Sequence, residues 1–245
     1  MKRLIPALAA CAVLITSSIP VAATQVNTSL ARIKGSVGYR ADAVSPMQPI
    51  VTSLVLPDTA FAVTQAKSAG IITMPDSSEI TLGEATKVQV GAFKTGEAGP
   101  GSTIRIDHGA LEFSIKHPSG GKSNFQFITD TTEIAVRGTD GYVASGPNED
   151  VVAVTSASST NDVTVKTGGK TYHVAAGKSL HIKKHRGRVV GTSYTAGASH
   201  PAFKQFASLH KPSFAKAGAA AVAGVAAGAA LHHAQAAARK KKKHH

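Results

Sequence analysis

Arg137-Gly138-Thr139-Asp140-Gly141 packs a cation, a hydroxyl, a carboxylate and two glycines into five positions. A guanidinium there could grip a carboxylate with two parallel hydrogen bonds. Thr139 and Asp140 could bond neighbouring amides and hold a tight bend. Gly138 and Gly141 would allow a positive φ or a close backbone approach. The same pattern serves a purely structural β-corner, and the corner reading is the simpler one. Three Gly-Lys-Ser/Thr triplets, at Gly121, Gly169 and Gly177, hint at phosphate binding. A phosphate loop needs a further glycine five residues earlier, where this chain has Lys116, Thr164 and Tyr172. No esterase elbow, zinc-protease helix or calcium loop occurs. The chain has 11 His residues, but they are scattered rather than set at metal-ligand spacing. Asp107 with Glu112, or Asp130 with Glu133, are the nearest thing to an acid–base pair, and charged residues beside turns normally just meet water. The expectation is therefore a protein without a catalytic centre, a metal or a cofactor.

The elements that carry these residues read as strands. Phe125 and Phe127 alternate with polar neighbours, Ile134 and Val136 follow, and Tyr142-Val143 resumes after the glycine-rich corner. That is a period of two, cut by a bend. Similar short runs occupy the chain from Arg32 to about Lys184, spaced by turn signals. Ile33 to Tyr39 reads as one edge-like strand. Pro75-Asp76-Ser77-Ser78 and Gly168-Gly169 read as hairpin turns. Asp107 to Ala110 reads as a turn between two strands. No stretch of this body shows a helical period. The fold class expected is all-β, a sandwich or a β-helical roll over 32–184.

Order and spacing then resemble one known family. Gly35-Ser36-Val37-Gly38-Tyr39-Arg40 opens the region. Met74 to Leu82 is similar to a family hairpin, and Ile104 to Phe113 to its next unit. Ala135 to Val143 resembles the family's Val-Arg-Gly-Thr signature, and Val163 through Leu180 its closing strands. These are marks of the FecR domain. The resemblance implies an all-β, non-catalytic domain outside the cytoplasmic membrane, engaged in sensing or signalling with an envelope protein as partner. In the best-known members it relays transporter occupancy to a sigma factor. This chain lacks their cytoplasmic anti-sigma segment and an obvious transporter-docking domain.

Both ends differ from the body. Lys2 and Arg3 precede an apolar stretch, and Val21-Ala22-Ala23 offers a cleavage site, so 1–23 reads as a signal peptide. Retention as an anchor, or lipidation at Cys11, are alternatives. Cleavage would remove the only Cys, leaving no disulfide in a chain bound for a bacterial periplasm or cell surface. Residues 24–31 would be a leader. The net charge of +13 is uneven: no Asp or Glu follows Asp162, and 15 Lys or Arg do. A basic linker is expected over 185–216, with a short amphipathic helix around Ala202 to Leu209. An Ala/Gly-rich run follows from Ala217 to Leu231, and the chain ends in Arg239, Lys240, Lys241, Lys242 and Lys243. Those five cations fit an anionic lipid or polysaccharide surface. Too few strongly apolar residues make 217–231 at best a weak membrane span. Export and the lack of interleaved aromatics argue against nucleic acid. Two functions remain: a recognition module in envelope signalling, or a structural or adhesive envelope protein displayed through its tail.

Overall fold

The computed structural model describes residues 27–118 and 121–209. The expected signal peptide, the 217–231 run and the Arg239–Lys243 cluster lie outside them. The described chain is all-β with one helical turn near its end.

The chain order is β1 (Ser29–Lys34), β2 (Val37–Arg40), β3 (Gln48–Pro49), β4 (Ser53–Val55), β5 (Phe61–Thr64), β6 (Ala69–Thr73), β7 (Glu79–Leu82), β8 (Lys87–Val90) and β9 (Thr103–Ser114). Then come β10 (Phe125–Ile128), β11 (Thr132–Val136), β12 (Thr139–Ser145), β13 (Glu149–Ala157), β14 (Val163–Thr167), β15 (Lys170–His173), β16 (Lys178–His185) and β17 (Arg188–Ala196). A 3-10 turn, Pro201–Phe203, leads into helix α1 (Lys204–Ala207).

The ladders assemble two sheets. One runs β4-β1-β6-β7-β9-β12-β13-β16-β17. The other runs β3-β2-β5-β8-β9-β10-β11-β14-β15. All pairings are antiparallel except β9 with β10. From β10 onward, successive hairpins drop alternately into the two sheets. Each new hairpin covers the apolar face left by the one before, as a roll requires.

Period-two patterning explains the core. β10, β11 and β14 each bury alternate residues, so Phe125, Phe127, Ile134, Val136, Val163 and Val165 point inward and are fully buried. From the other sheet Ile80, Leu111, Phe113, Val143, Val152 and Leu180 meet them. Phe113 and Phe127 sit 5.1 Å apart across the gap, ring to ring. A second, smaller cluster lies on the outer face of the first sheet. There Phe203 and Phe206 cover Ala110, Ala144, Val151 and Ala153, with Tyr142 stacked 5.0 Å from Phe203.

Four expectations meet a different arrangement. The opening strand is two strands in two sheets, split at Gly35-Ser36, and β1 is internal because it has partners on both sides. Asp107 to Ala110 does not reverse the chain: β9 runs straight through it, bent at Gly109 so that its first half serves one sheet and its second half the other. The presumed leader enters β1 at Ser29, with Leu30 fully buried. The presumed linker contains β17, then the helical segment whose Phe203 and Phe206 are buried, so the folded body reaches past 184 at least to Leu209.

Phe113 is fully buried in the gap between the sheets, against Phe127. Phe113→Ala should cost about 3–5 kcal/mol, read as a drop in the urea midpoint with little change in slope.

Candidate functional site

The corner forms where β11 ends and β12 starts, and the chain changes sheets there. Gly138 takes φ +91, and a Cβ on it would run into the His117 ring. Gly141 has an ordinary φ, but its Cα side faces the Ala153 carbonyl and the Phe113 ring edge too closely for any side chain. The main chain closes the bend. Arg137 N–H donates to the Asp162 carbonyl at 2.9 Å, and Ile115 N–H to the Thr139 carbonyl at 2.9 Å. Asp162, itself buried, accepts from Ser159 N–H at 2.6 Å and from Lys122 Nζ at 3.3 Å. Thr139 does not play the expected part: its hydroxyl is buried without a hydrogen-bond partner among the described residues. Arg137 does not reach across the corner either: it is exposed, and among the described residues no salt bridge holds it. Asp140 acts at a distance instead. The Tyr142 hydroxyl is pushed up first by burial and then by the Glu112 carboxylate, with Asp140 adding to it.

The densest polar constellation lies at the opposite end of the sandwich. Asp150, fully buried on β13, has its carboxylate surrounded by donors. Oδ2 accepts from the hydroxyls of Thr129 at 2.7 Å, Thr131 at 3.1 Å and Thr132 at 3.1 Å. Oδ1 accepts from Ser145 Oγ at 2.8 Å and from Lys184 Nζ at 2.8 Å. Lys184, on β16, donates also to Asp130 Oδ1 at 2.8 Å. The threonines belong to the β10–β11 turn of one sheet, and Asp150 and Lys184 to neighbouring strands of the other. The cluster therefore clamps the two sheets together at this end. Burial alone would pull the Lys184 amine down, but the hydrogen bonds and charges of Asp130 and Asp150 outweigh it and hold the amine above its ordinary value.

Sequence reasoning treated Asp130 as solvated and passed over Asp150 and Lys184. A signal existed: Leu180, Ile182 and Lys184 share one parity on β16, and Asp150, Val152 and Val154 share one on β13, with Asp150 opposite Ile182. A charge at an inward parity needs a partner. Asp107, another of the four carboxylates weighed for acid–base work, pairs with Lys87 at 2.9 Å. Glu149 sits between two imidazoles, His181 Nδ1 at 2.8 Å and His200 Nε2 at 3.7 Å, which ties the helical segment to the first sheet. Among the described residues no three His, Cys, Asp or Glu are placed to hold a metal.

Two open concavities stand out among the described residues. One, of about 470 Å³, lies beside the clamp between Thr129, Glu133, Lys166 and Gly169. The other, of about 380 Å³, is lined by Glu97, Pro100, Pro118 and Lys122 among others. Among the described residues neither lining contains a His or Cys. The first lining presents threonine hydroxyls, Glu133, Lys166 and Lys170, groups that offer hydrogen bonds and charge of both signs.

A family model described as FecR protein matches residues 61–191, across the bent β9, the corner and the clamp. The chain belongs to the FecR family. That family is regulatory and is linked to envelope signalling through protein partners. Two crystal structures, at 2.50 Å and 1.65 Å, of a provisionally assigned anti-sigma factor from Parabacteroides distasonis are similar in part. They are 14% identical, with TM-scores of 0.45 and 0.46, and the overlap covers 56% of this chain. This FecR chain spans 59% of their length. No curated protein matches it. No helix among its described residues is long and apolar enough to cross a membrane.

Removing one half of a buried ion pair strands the other. Asp150→Ala should cost about 3–5 kcal/mol in chemical unfolding. The pH sign follows from Lys184. Its folded amine keeps its proton more firmly than the unfolded chain does, so the stabilisation is complete below about pH 10.4. It is lost as pH climbs through the raised folded value. Lys184→Met should remove that share of the alkaline fall in unfolding free energy. Gly141→Ala should lower the melting temperature more than Gly121→Ala, whose Cβ would meet only the Pro118 ring at 3.6 Å.

Proposed function

We propose that this FecR-family chain is an exported, non-catalytic recognition module in envelope signalling, binding a protein partner rather than transforming a substrate. The observation that carries the reading is the family match over 61–191, on a body whose polar clusters are consumed in holding two sheets together. The corner then acts as a structural hinge-point of the roll, with Arg137 left facing solvent. The apolar N-terminal stretch supports export, with 1–23 removed at Ala23 and the mature chain in the periplasm or on the surface of a bacterium.

The charge division favours a second component of the same role. Between Val163 and His245 lie 15 Lys or Arg and no acid. Arg239, Lys240, Lys241, Lys242 and Lys243 would hold the module near anionic lipid or polysaccharide by charge alone. In the alternative reading that attachment is the main purpose, and the module is a displayed structural or adhesive protein.

A photo-crosslinkable residue at Arg137 or Val190, exposed to light in intact cells, should yield one discrete protein adduct recovered from the envelope fraction. A ladder of adducts with every abundant envelope protein, or none, would favour display. Deleting 217–245 should release the chain from washed envelopes at lower salt, while leaving the discrete adduct in place.

A further inference from the structure

Among the described residues the last hairpin of the roll has no successor. β17 pairs with β16 on one side, and among the described residues nothing pairs with its other side. The opposite ends of the two sheets are blunt: β3 has two residues and β4 three. β15, the last strand of the second sheet, has four. β17 has nine, and Val189 to Ala196 contains neither a charge nor a proline. Short strands, charges and prolines are how sheets protect their edges, and this stretch uses none of them. A bulge beside Lys183 and Lys184 disturbs only its first residues. Two of the exposed large apolar side chains, Val190 and Tyr194, sit on it.

The direction of its free hydrogen-bonding groups can be deduced. Gly197 N–H donates to the Gly177 carbonyl at 2.8 Å. In an antiparallel pair these bonds alternate, so Thr195 and Ser193 also turn their N–H toward β16. Thr192, Tyr194 and Ala196 therefore present N–H and C=O to the open side. Behind the edge, Tyr194 Oη donates to the His173 carbonyl at 3.0 Å and Thr192 Oγ1 to Tyr172 Oη at 3.0 Å. Both bonds go to β15 and brace the strand, so it is a rigid template.

Charge selects the occupant. From Val163 to Leu209 there are eight Lys or Arg and no Asp or Glu. Lys183, Arg186 and Arg188 are exposed around the start of β17, and Lys178 lies opposite its end. Two copies laid edge to edge would bring these cations together, and the chain's own basic tail would meet the same repulsion. An acidic segment would not.

We propose that the outer edge of β17 binds an extended, Asp/Glu-bearing strand of a partner protein, which adds to the first sheet as its tenth strand. Main-chain bonds to Thr192, Tyr194 and Ala196 fix the register, and Lys183, Arg186 and Arg188 take the carboxylates. The inference rests on the reading of this chain as a recognition module and names the surface and the partner chemistry.

The test is fluorescence anisotropy on the full mature chain, using a labelled peptide of about ten residues that alternates Val and Glu. Binding should be salt-sensitive. A Val/Lys peptide should bind at least about tenfold more weakly. Methylating the probe's alternate peptide nitrogens should cost at least about tenfold, because it removes main-chain donors while leaving charge intact. Ala196→Pro, which takes away one outward N–H and spares the β16 ladder, should weaken binding similarly, and a melting curve checks that the variant folds. Arg186→Glu with Arg188→Glu should flatten the salt dependence. Equal binding of polyglutamate, or of the methylated peptide, would make the surface a plain polyanion site and overturn strand addition. No binding of the Val/Glu probe would overturn it as well. Either failure beside a discrete envelope adduct would remove this edge and leave the recognition role standing.

Discussion

An isolated β-hairpin with one apolar face cannot stay in water, and every rung of this chain depends on the next to cover that face. The alternation between two sheets from β10 to β17 is the outcome. β9 makes it possible: one strand, bent at Gly109, gives its first half to one sheet and its second half to the other. The corner at Arg137-Gly138 is where the next crossing occurs, which is why two glycines stand there with no room for side chains. The same rule explains the end of the roll. Among the described residues, β17 is the rung that no later strand pairs with.

The clamp shows what apolar packing cannot supply. Two sheets pressed face to face by valines and phenylalanines can slide by a residue pair at little cost, because one methyl group resembles another. Asp150 cannot. Its two oxygens need the hydroxyls of the β10–β11 turn, Ser145 and the Lys184 amine at the same time. Burying that pair yields little net stability compared with apolar residues of the same size. It does fix how the sheets face each other. The Glu149 contacts with His181 and His200 do similar positional work on the outer face, where they seat the segment carrying Phe203 and Phe206.

How much of this could be read from the residues follows from parity. β10, β11 and β14 keep a clean period of two with apolar residues inward, and a glycine-rich corner follows β11, so these strands and the bend were visible. Leu30 and Ala31 were missed because a buried strand that starts close behind an apolar N-terminal stretch reads as the trailing end of that stretch. β17 was missed for the opposite reason: it is an edge, mostly exposed, built of Gly, Thr, Ser and Ala, and it has no inward apolar series to betray it. Two valines and a tyrosine were the only hint. The His108-Gly109 stretch carries every mark of a turn, and only the two ladders on β9 reveal that the chain passes straight through. Asp150 and Lys184 were legible by parity but invisible to a search for catalytic spacing. Arg137 drew attention by its place in the signature, and it is the main chain around it that matters.

Function in this FecR-family chain is therefore argued from what the fold leaves over. Of the carboxylates weighed for chemistry, Asp130 belongs to the clamp and Asp107 pairs with Lys87. What remains is a braced, uncharged strand edge set in the basic part of the chain. Amide hydrogen exchange of the free mature protein, resolved residue by residue, tests this most directly. Ser193 and Thr195, turned toward β16, should be protected, while Thr192, Tyr194 and Ala196 between them exchange almost as fast as in an unfolded peptide. Uniform protection of all five would mean the edge is already occupied, uniform exchange would mean the strand does not form, and either pattern would contradict the account.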